Sequence, residues 1–127
     1  MGDRDAGGKD LEFEERDRFI EVRFLGGFSV DRFNRQAEAA SKACREKQKS
    51  RMLVDLSLLD AQLSTLERYE LASHAVRVSA GLKVALVVAP AFLDPNKFGI
   101  LVAQNRGLTV DAFTDRQKAL EWLEAES

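Results

Sequence analysis

The fold is decided between residues 82 and 123, which read LKVALVVAPAFLDPNKFGILVAQNRGLTVDAFTDRQKALEWL. The solid apolar run over 82–89 is typical of a strand that is covered on both faces of a sheet. A helix over 96–105 follows, with Pro95 at its start and Gly107 as the left-handed residue that stops it. An alternating strand and a closing helix complete the stretch. Because parallel neighbours in a sheet need a crossover between them, this order predicts a parallel sheet packed by helices.

The amino-terminal half supplies the other strands. Two alternating segments, 11–15 and 20–24, predict an antiparallel hairpin with one wet face, at or near a sheet edge. A short, mostly apolar strand over 52–56 is expected to be buried on both faces. With the strands over 82–89 and 108–113, the order β-β-α-β-α-β-α-β-α predicts an α/β domain. Its sheet of four to five strands should be mostly parallel, with an antiparallel N-terminal hairpin strand and four helices.

Four helices are expected, over 29–49, 64–78, 96–105 and 115–124. In the first helix, the residues that should face the sheet are Val30, Phe33, Ala37, Ala40 and Cys44. In the second helix, the corresponding residues are Leu66, Tyr69, Val76 and either Leu71 or Ala72. On the last helix, Trp122 is expected to be largely buried against the sheet.

The composition is that of an ordinary globular domain. The 127 residues are 45% hydrophobic and 31% charged, which predicts one domain over residues 10–127 after a disordered tail over residues 1–9. The net charge of -2 argues against nucleic acid as the main partner. No apolar stretch approaches the roughly 20 residues of a transmembrane segment, and the amino terminus lacks a signal peptide. With a single cysteine, Cys44, these features predict a cytoplasmic protein.

Several segments, taken with this order of elements, resemble the STAS domain family, named for sulfate transporters and anti-sigma-factor antagonists. Residues 52–57, Met-Leu-Val-Asp-Leu-Ser, are similar to the family's buried strand, which ends in Asp-Leu-Ser. Residues 105–108 and 113–123 resemble the turn before the family's last strand and its closing helix. The resemblance covers residues 19–124, and the chain looks most like divergent bacterial members grouped with lipid-binding CRAL-TRIO relatives.

The resemblance implies a regulatory domain without enzymatic activity that contacts a protein partner. The residues that it implies for regulatory phosphorylation or partner contact are Ser57, Ser64 and Thr65. Ser64 falls near the position of the family's phosphorylatable serine. Family members usually have an Asp just before that serine and a Gly shortly after it, whereas this chain has Leu63 and Leu66.

Ser64 also begins a capping box with Glu67, in which each side chain accepts a hydrogen bond from the other residue's amide. Such a cap is worth about 1 kcal/mol. A phosphate on Ser64 would lie at the positive end of the same helix, where exposed amides favour an anion. The sequence leaves both roles open.

No catalytic, cofactor-binding or metal-binding residue is predicted. His74 is the only histidine and lacks the Cys or His partners of a zinc site. Cys44 lies on an apolar stripe, where a free cysteine behaves as a small hydrophobe, and nothing places His74 beside it as a base. A basic cluster near the end of the first helix comprises Lys42, Arg45, Lys47, Lys49 and Arg51. It is either a solvated helix end or a site for an acidic partner or an anionic membrane surface.

Two functions from different classes follow. The first is a regulatory or protein-interaction domain that recognises a protein partner around Ser57 and Ser64, and the second is a carrier of a small apolar, lipid-like molecule. The carrier requires a deep apolar cavity between helices and sheet. The regulator requires a flat surface with Ser64 exposed. Neither function requires a cofactor.

Overall fold

The computed structural model describes residues 10–125, so the tail predicted over residues 1–9 lies outside the described residues. The elements, in chain order, are β1 (Leu11–Glu15), β2 (Ile20–Phe24), α1 (Val30–Glu46), β3 (Arg51–Asp55), α2 (Thr65–Val78), β4 (Lys83–Val87), α3 (Phe98–Asn105), β5 (Thr109–Phe113) and α4 (Arg116–Glu124). The predicted α/β class, with a mostly parallel sheet and an antiparallel amino-terminal strand, is confirmed.

The five strands lie side by side in chain order, β1-β2-β3-β4-β5. β1 pairs antiparallel with β2, and Leu11 lies opposite Phe24. The other neighbours are parallel, so that Val54 of β3 lies between Val22 and Leu86. β1 and β5 therefore form the edges of the sheet. The interior position predicted for the apolar run over 82–89 is confirmed, because β4 lies between β3 and β5.

Three helices cover the same face of the sheet. α1, α2 and α3 each connect one strand to the next parallel strand in the same direction, and crossovers of one hand place such helices together. Their buried side chains form one apolar cluster with the strand residues Val22, Val54, Val84 and Val110. We call this side the three-helix face.

The last helix covers the other side alone, which we call the α4 face. Leu53 and Ala85 from the central strands are fully buried there, as are Ala119 and Leu123 of α4. Trp122 packs against this cluster with part of its surface exposed, in keeping with the expected burial against the sheet. Its ring centroid lies 5.8 Å from that of Phe113. Ala119 and Leu123 take the positions that point at the sheet.

The first helix ends three residues earlier than predicted, at Glu46. Gln48 adopts the left-handed conformation, with φ of 59°. Its amide donates to the Arg45 carbonyl at 3.1 Å, and the Lys49 amide donates to the Cys44 carbonyl at 2.9 Å. These two bonds satisfy the last carbonyls of the helix in the manner usually seen with glycine. Because glutamine rarely adopts this conformation, the sequence does not indicate that the helix ends here.

The third helix begins two residues later than predicted, at Phe98. The Asp94 carboxylate accepts a hydrogen bond from the Phe98 amide at 2.8 Å, and Lys97 is left-handed with φ of 50°. Pro95 therefore lies in the turn before the helix and not at its first position. Gly107, with φ of 98°, ends the helix as expected.

The face of α2 predicted to point inward is wrong for two of its residues. Leu66 is 64% exposed and Tyr69 is 39% exposed, whereas Leu71 and Ala72 are buried. The Tyr69 hydroxyl accepts a hydrogen bond from Arg106 at 2.7 Å on the surface between α2 and α3. Two apolar stripes run along this helix, and its contact with α3 selects the one that contains Leu71 and Ala72. Among residues 10–125, no helix is long and apolar enough to cross a membrane.

Candidate functional site

The main feature of the three-helix face is an apolar cavity of about 140 Å³ between the helices and the sheet. Its floor is formed by side chains of four strands, among them Met52, Val84 and Val110. Its roof comes from all three helices. These walls present almost only carbon atoms, because the sheet residues that point to this side are aliphatic or aromatic.

Small residues of the helices leave this space open. Ala37 and Ala40 of α1, Ala72 and Ala75 of α2, and Ala103 of α3 all line the cavity. An alanine side chain ends at its Cβ, so each of these positions keeps the helix backbone near the sheet without filling the space between the helices. The cavity is therefore a consequence of the thin, alanine-rich stripes of the three helices.

The second and third helices touch closely beside the cavity. A Cβ added at Gly99 of α3 would lie 3.3 Å from the Arg68 carbonyl oxygen of α2, which is tighter than ordinary packing. A glycine at this position therefore allows α3 to approach the first turns of α2. This contact closes one side of the cavity.

The charged residues of the lining are Arg68, Asp94 and Lys97, all partly exposed. They come from the first turns of α2 and from the loop that precedes α3, at the carboxyl ends of the parallel strands. Open α/β sheets place ligands at this end of the strands. Most of the other lining residues are apolar, so we call this charged, partly exposed part of the lining the mouth of the cavity.

Two of these charged groups have strong partners within the chain. The Lys97 ammonium lies 3.0 Å from an Asp111 carboxylate oxygen and donates to the Ala112 carbonyl at 3.2 Å. The Asp94 carboxylate accepts from the Phe98 amide. Among residues 10–125, the hydrogen bonds of the Arg68 guanidinium are two long ones of 3.4 Å, both to the Phe92 carbonyl.

Of the residues predicted as regulatory, Ser57 follows β3, and Ser64 and Thr65 lie at the start of α2. Ser57, Ser64 and Thr65 are all exposed. The Ser64 hydroxyl accepts from the Glu67 amide at 3.1 Å, and the Glu67 carboxylate accepts from the Ser64 amide at 2.9 Å. The predicted capping box of α2 is therefore confirmed. Phosphorylation and partner contact at these residues stay predictions.

Ser57 belongs to a separate polar cluster at the end of β3. Asp55 accepts from the Ser57 hydroxyl at 2.6 Å and from the Ser57 amide at 2.9 Å. Its other carboxylate oxygen accepts from Arg23 at 3.2 Å. The Asp-Leu-Ser segment thus fixes the turn that leaves the strand, and the Ser57 hydroxyl is held by Asp55.

Cys44 and His74 are not brought together. Cys44 is fully buried, and burial raises the pKa of its thiol to about 11, although the charge of Arg45 acts in the opposite direction. A thiol with this pKa is almost entirely protonated at neutral pH and is a poor nucleophile. The His74 Nε2 atom lies 3.1 Å from a Glu38 carboxylate oxygen and links α2 to α1.

The basic cluster is engaged mainly by groups of the same chain. Arg45 donates to the carbonyl of Val78, the last residue of α2, and to the carbonyl of Ala80 just beyond it, at 2.8 Å each. Arg51 donates to the Leu123 carbonyl at 3.1 Å and so holds the end of α4. Lys49 donates to the Asp17 carbonyl at 2.7 Å. These bonds satisfy backbone carbonyls at the α2–β4 connection, in the β1–β2 turn and near the end of α4.

Arg68 is the feature of the cavity that the sequence analysis missed. It lies three and four residues before Leu71 and Ala72, and so on the buried side of α2. That spacing was available in the sequence, but the alternative stripe through Leu66 and Tyr69 concealed it. Gln36 was missed as well: it is buried and donates to the carbonyls of Asp10 and Leu25, which ties α1 to the hairpin.

Within residues 10–125, no group of three or more His, Cys, Asp or Glu side chains is placed to hold a metal ion. No protein-family model matches the chain, and a comparison with curated proteins finds no match. The candidate functional site is therefore the cavity together with its charged mouth.

Proposed function

We propose that this protein binds a small apolar molecule in the cavity of the three-helix face. The observation that carries the proposal is a partly open apolar cavity of about 140 Å³, lined almost entirely by hydrophobic side chains with three charged residues among them. Apolar ligand sites are usually concave, largely preformed and lined by hydrophobic side chains with a few polar groups. This cavity has that character.

The size of the cavity limits the ligand. An apolar cavity of about 150 Å³ stays free of water and accepts a molecule of the size of benzene. A cavity of about 140 Å³ therefore suits a single ring or a short branched chain. A long acyl chain would require the helices to move apart. The resemblance to lipid-binding CRAL-TRIO relatives agrees with the apolar character of this ligand.

The proposal is tested by titrating the protein with toluene and following backbone amide signals by NMR. We expect the amide signals that shift to belong to residues around the cavity, and we expect the shifts to saturate as toluene is added. The dissociation constant should be that of a ligand with few atoms, which binds weakly. The cavity-filling variant Ala72→Leu should abolish them, because the added side chain occupies the space. The matched control is Ala39→Leu, the same change at an exposed position of α1, and it should bind like the unmodified chain.

Two results would contradict the proposal. One is the absence of saturable shifts in the unmodified chain. The other is binding that the Ala72→Leu variant retains while it stays folded, since the ligand would then occupy another part of the molecule.

A second function is favoured by a separate observation. Leu58 and Leu66 are 60% and 64% exposed and lie next to Ser57 and close to Ser64. Exposed leucines around these serines suit contact with a protein partner, as the STAS resemblance implies. In this proposal the chain is a regulatory domain whose recognition surface includes the segment from β3 to α2.

Phosphopeptide analysis of the protein purified from its own host tests this second function. A phosphate present on Ser64 in most molecules, together with a partner whose binding the Leu66→Ser variant weakens, would support it. Leu101→Ser on α3 is a matched control, because Leu101 is also exposed, at 49%, on another helix. Unmodified Ser64 and equal partner binding by both variants would contradict it.

A further inference from the structure

The charged groups at the mouth of the cavity differ in how far they are already neutralised. Lys97 is paired with Asp111, and Asp94 accepts from the amide that starts α3. Arg68 has no carboxylate partner among residues 10–125, and its recorded contacts are the two long ones to the Phe92 carbonyl. One positive charge at the mouth therefore lacks an anion.

The position of the Arg68 guanidinium is set by Phe92. Phe92 is itself buried and lines the cavity, so the nitrogen atoms that approach its carbonyl lie at the cavity wall. A guanidinium carries five N–H donors in a planar fork that fits a carboxylate through two parallel bonds. Two long contacts to one carbonyl leave most of this donor capacity unused.

We infer that the ligand of the cavity is a small monocarboxylic acid, with its apolar body among the helices and its carboxylate on Arg68. This inference rests on the proposed function, because it assigns the charged end of the molecule that the cavity binds. The volume allows an apolar body of about one ring. Phenylacetate has this size and carries its carboxylate one methylene away from the ring, so it is a suitable test compound.

The test compares phenylacetate with phenylacetamide, which has nearly the same shape and no charge. Titrations of the unmodified chain at pH 7, followed by NMR, should give at least about tenfold tighter binding of phenylacetate, as charge-assisted hydrogen bonds provide. Acetate, which lacks the ring, should bind far more weakly than phenylacetate. Toluene measures the apolar contribution alone.

Substitutions of Arg68 then test whether this side chain causes the preference for phenylacetate over phenylacetamide. Arg68→Gln should remove the preference for phenylacetate over phenylacetamide and leave toluene binding within about twofold. Arg68→Lys should keep part of the preference, because it keeps the charge but loses the fork. The matched control is Arg77→Gln on the exposed side of the same helix, which should change neither.

The outcomes separate this inference from the proposed function. If toluene binds and the two phenyl compounds bind equally, the carboxylate assignment is wrong while the cavity function stands. If Arg68→Gln keeps the preference, Arg68 is not the anion-binding group. If none of the compounds binds, the proposed function itself fails. Should Arg68→Gln not fold, the comparison of ligands on the unmodified chain and the Arg68→Lys variant decide the question.

Discussion

The two faces of the sheet are covered in opposite ways. On the three-helix face, α1, α2 and α3 spread over four strands and leave an apolar cavity of about 140 Å³ between their alanine-rich stripes. On the α4 face, a single helix places Ala119 and Leu123 directly on Leu53 and Ala85, and all four residues are fully buried. Among the described residues, none of these four lines the cavity.

The difference between the two faces follows from how many helices cover each of them. The three helices also pack against one another, and their alanine-rich stripes leave part of the space above the sheet unfilled. α2 and α3 approach each other closely at Gly99, beside this apolar space. The α4 face is therefore tightly packed, whereas the three-helix face retains an apolar cavity.

The largest expected effect comes from truncating leucines on the two faces. Leu123→Ala should cost the upper part of the range of about 2–5 kcal/mol in the free energy of unfolding, because it opens a new cavity in a tightly packed site. Leu71→Ala should cost the lower part, because Leu71 already borders an open space. Urea denaturation of both variants measures the difference. Equal losses would show that the two faces are packed alike.

The reverse substitution should sharpen the same comparison. Ala119→Leu adds three carbons to a fully packed site and should destabilise the protein by about 1–3 kcal/mol. Ala72→Leu adds the same atoms beside the cavity and should cost less than about 1 kcal/mol or increase stability. Thermal unfolding of both variants tests this. A larger loss for Ala72→Leu than for Ala119→Leu would contradict the existence of usable space under α2.

Glu21 gives the α4 face a pH dependence. Partial burial raises the pKa of Glu21, but hydrogen bonds and charge from Arg116 and Arg16 outweigh it, so the pKa lies below its ordinary value of 4.5. The Arg116 Nη2 atom, at the start of α4, donates to the carboxylate at 2.7 Å. A lowered pKa contributes stability that is present above pH 4.5 and is lost as the pH falls through the folded-state pKa.

Glu21→Gln should cost about 1–2 kcal/mol at pH 7, less than a fully buried charge-assisted hydrogen bond, because solvent screens this partly exposed group. The difference from the unmodified chain should shrink as the pH falls below 4.5, because both chains then carry an uncharged group at residue 21. Urea denaturation at several pH values measures this. The matched control is Glu121→Gln, an exposed position on α4, which should change stability little at any pH. A constant difference between pH 7 and pH 3 would contradict the role assigned to the arginines.

The smallest expected effect concerns the cap of α2 on the three-helix face. Ser64→Ala should cost about 1 kcal/mol, because the amide of Glu67 loses its acceptor. Ser64→Asp should stay within about 0.5 kcal/mol of the unmodified chain, because aspartate caps as well as serine. Denaturant unfolding of both variants measures these values. A Ser64→Asp loss as large as that of Ser64→Ala would show that the serine does more than cap.

Much of the fold could be predicted from local patterns. The hairpin, the strand over 82–89, the Ser64 cap and the stop at Gly107 each depend on residues that lie close together in the chain. The ends of α1 and α3 could not be placed, because Gln48 and Lys97 adopt left-handed conformations that their residue types do not signal. Lys97 is held there by Asp111, which lies on the next strand.

Local sequence patterns predicted less of the candidate site than of the fold. The residues predicted for regulation around Ser64 are exposed, and their role stays a prediction. The cavity follows from the sequence only as a condition for one of two functions. Arg68 was overlooked because α2 has two apolar stripes of similar strength. Its contact with Phe92 joins groups 24 residues apart, and no spacing rule indicates it.

The sequence by itself determined the order of the elements, the mostly parallel sheet and the caps that begin α2 and stop α3. These follow from backbone preferences and from apolar periodicity, which act over a few neighbouring residues. Only the tertiary structure decided which stripe of α2 turns inward, how much space remains under the three helices, and which charge at its mouth lacks an anion. These depend on how closely three helices can approach one another and one sheet at the same time, and that is settled by the packing of side chains distant in the chain.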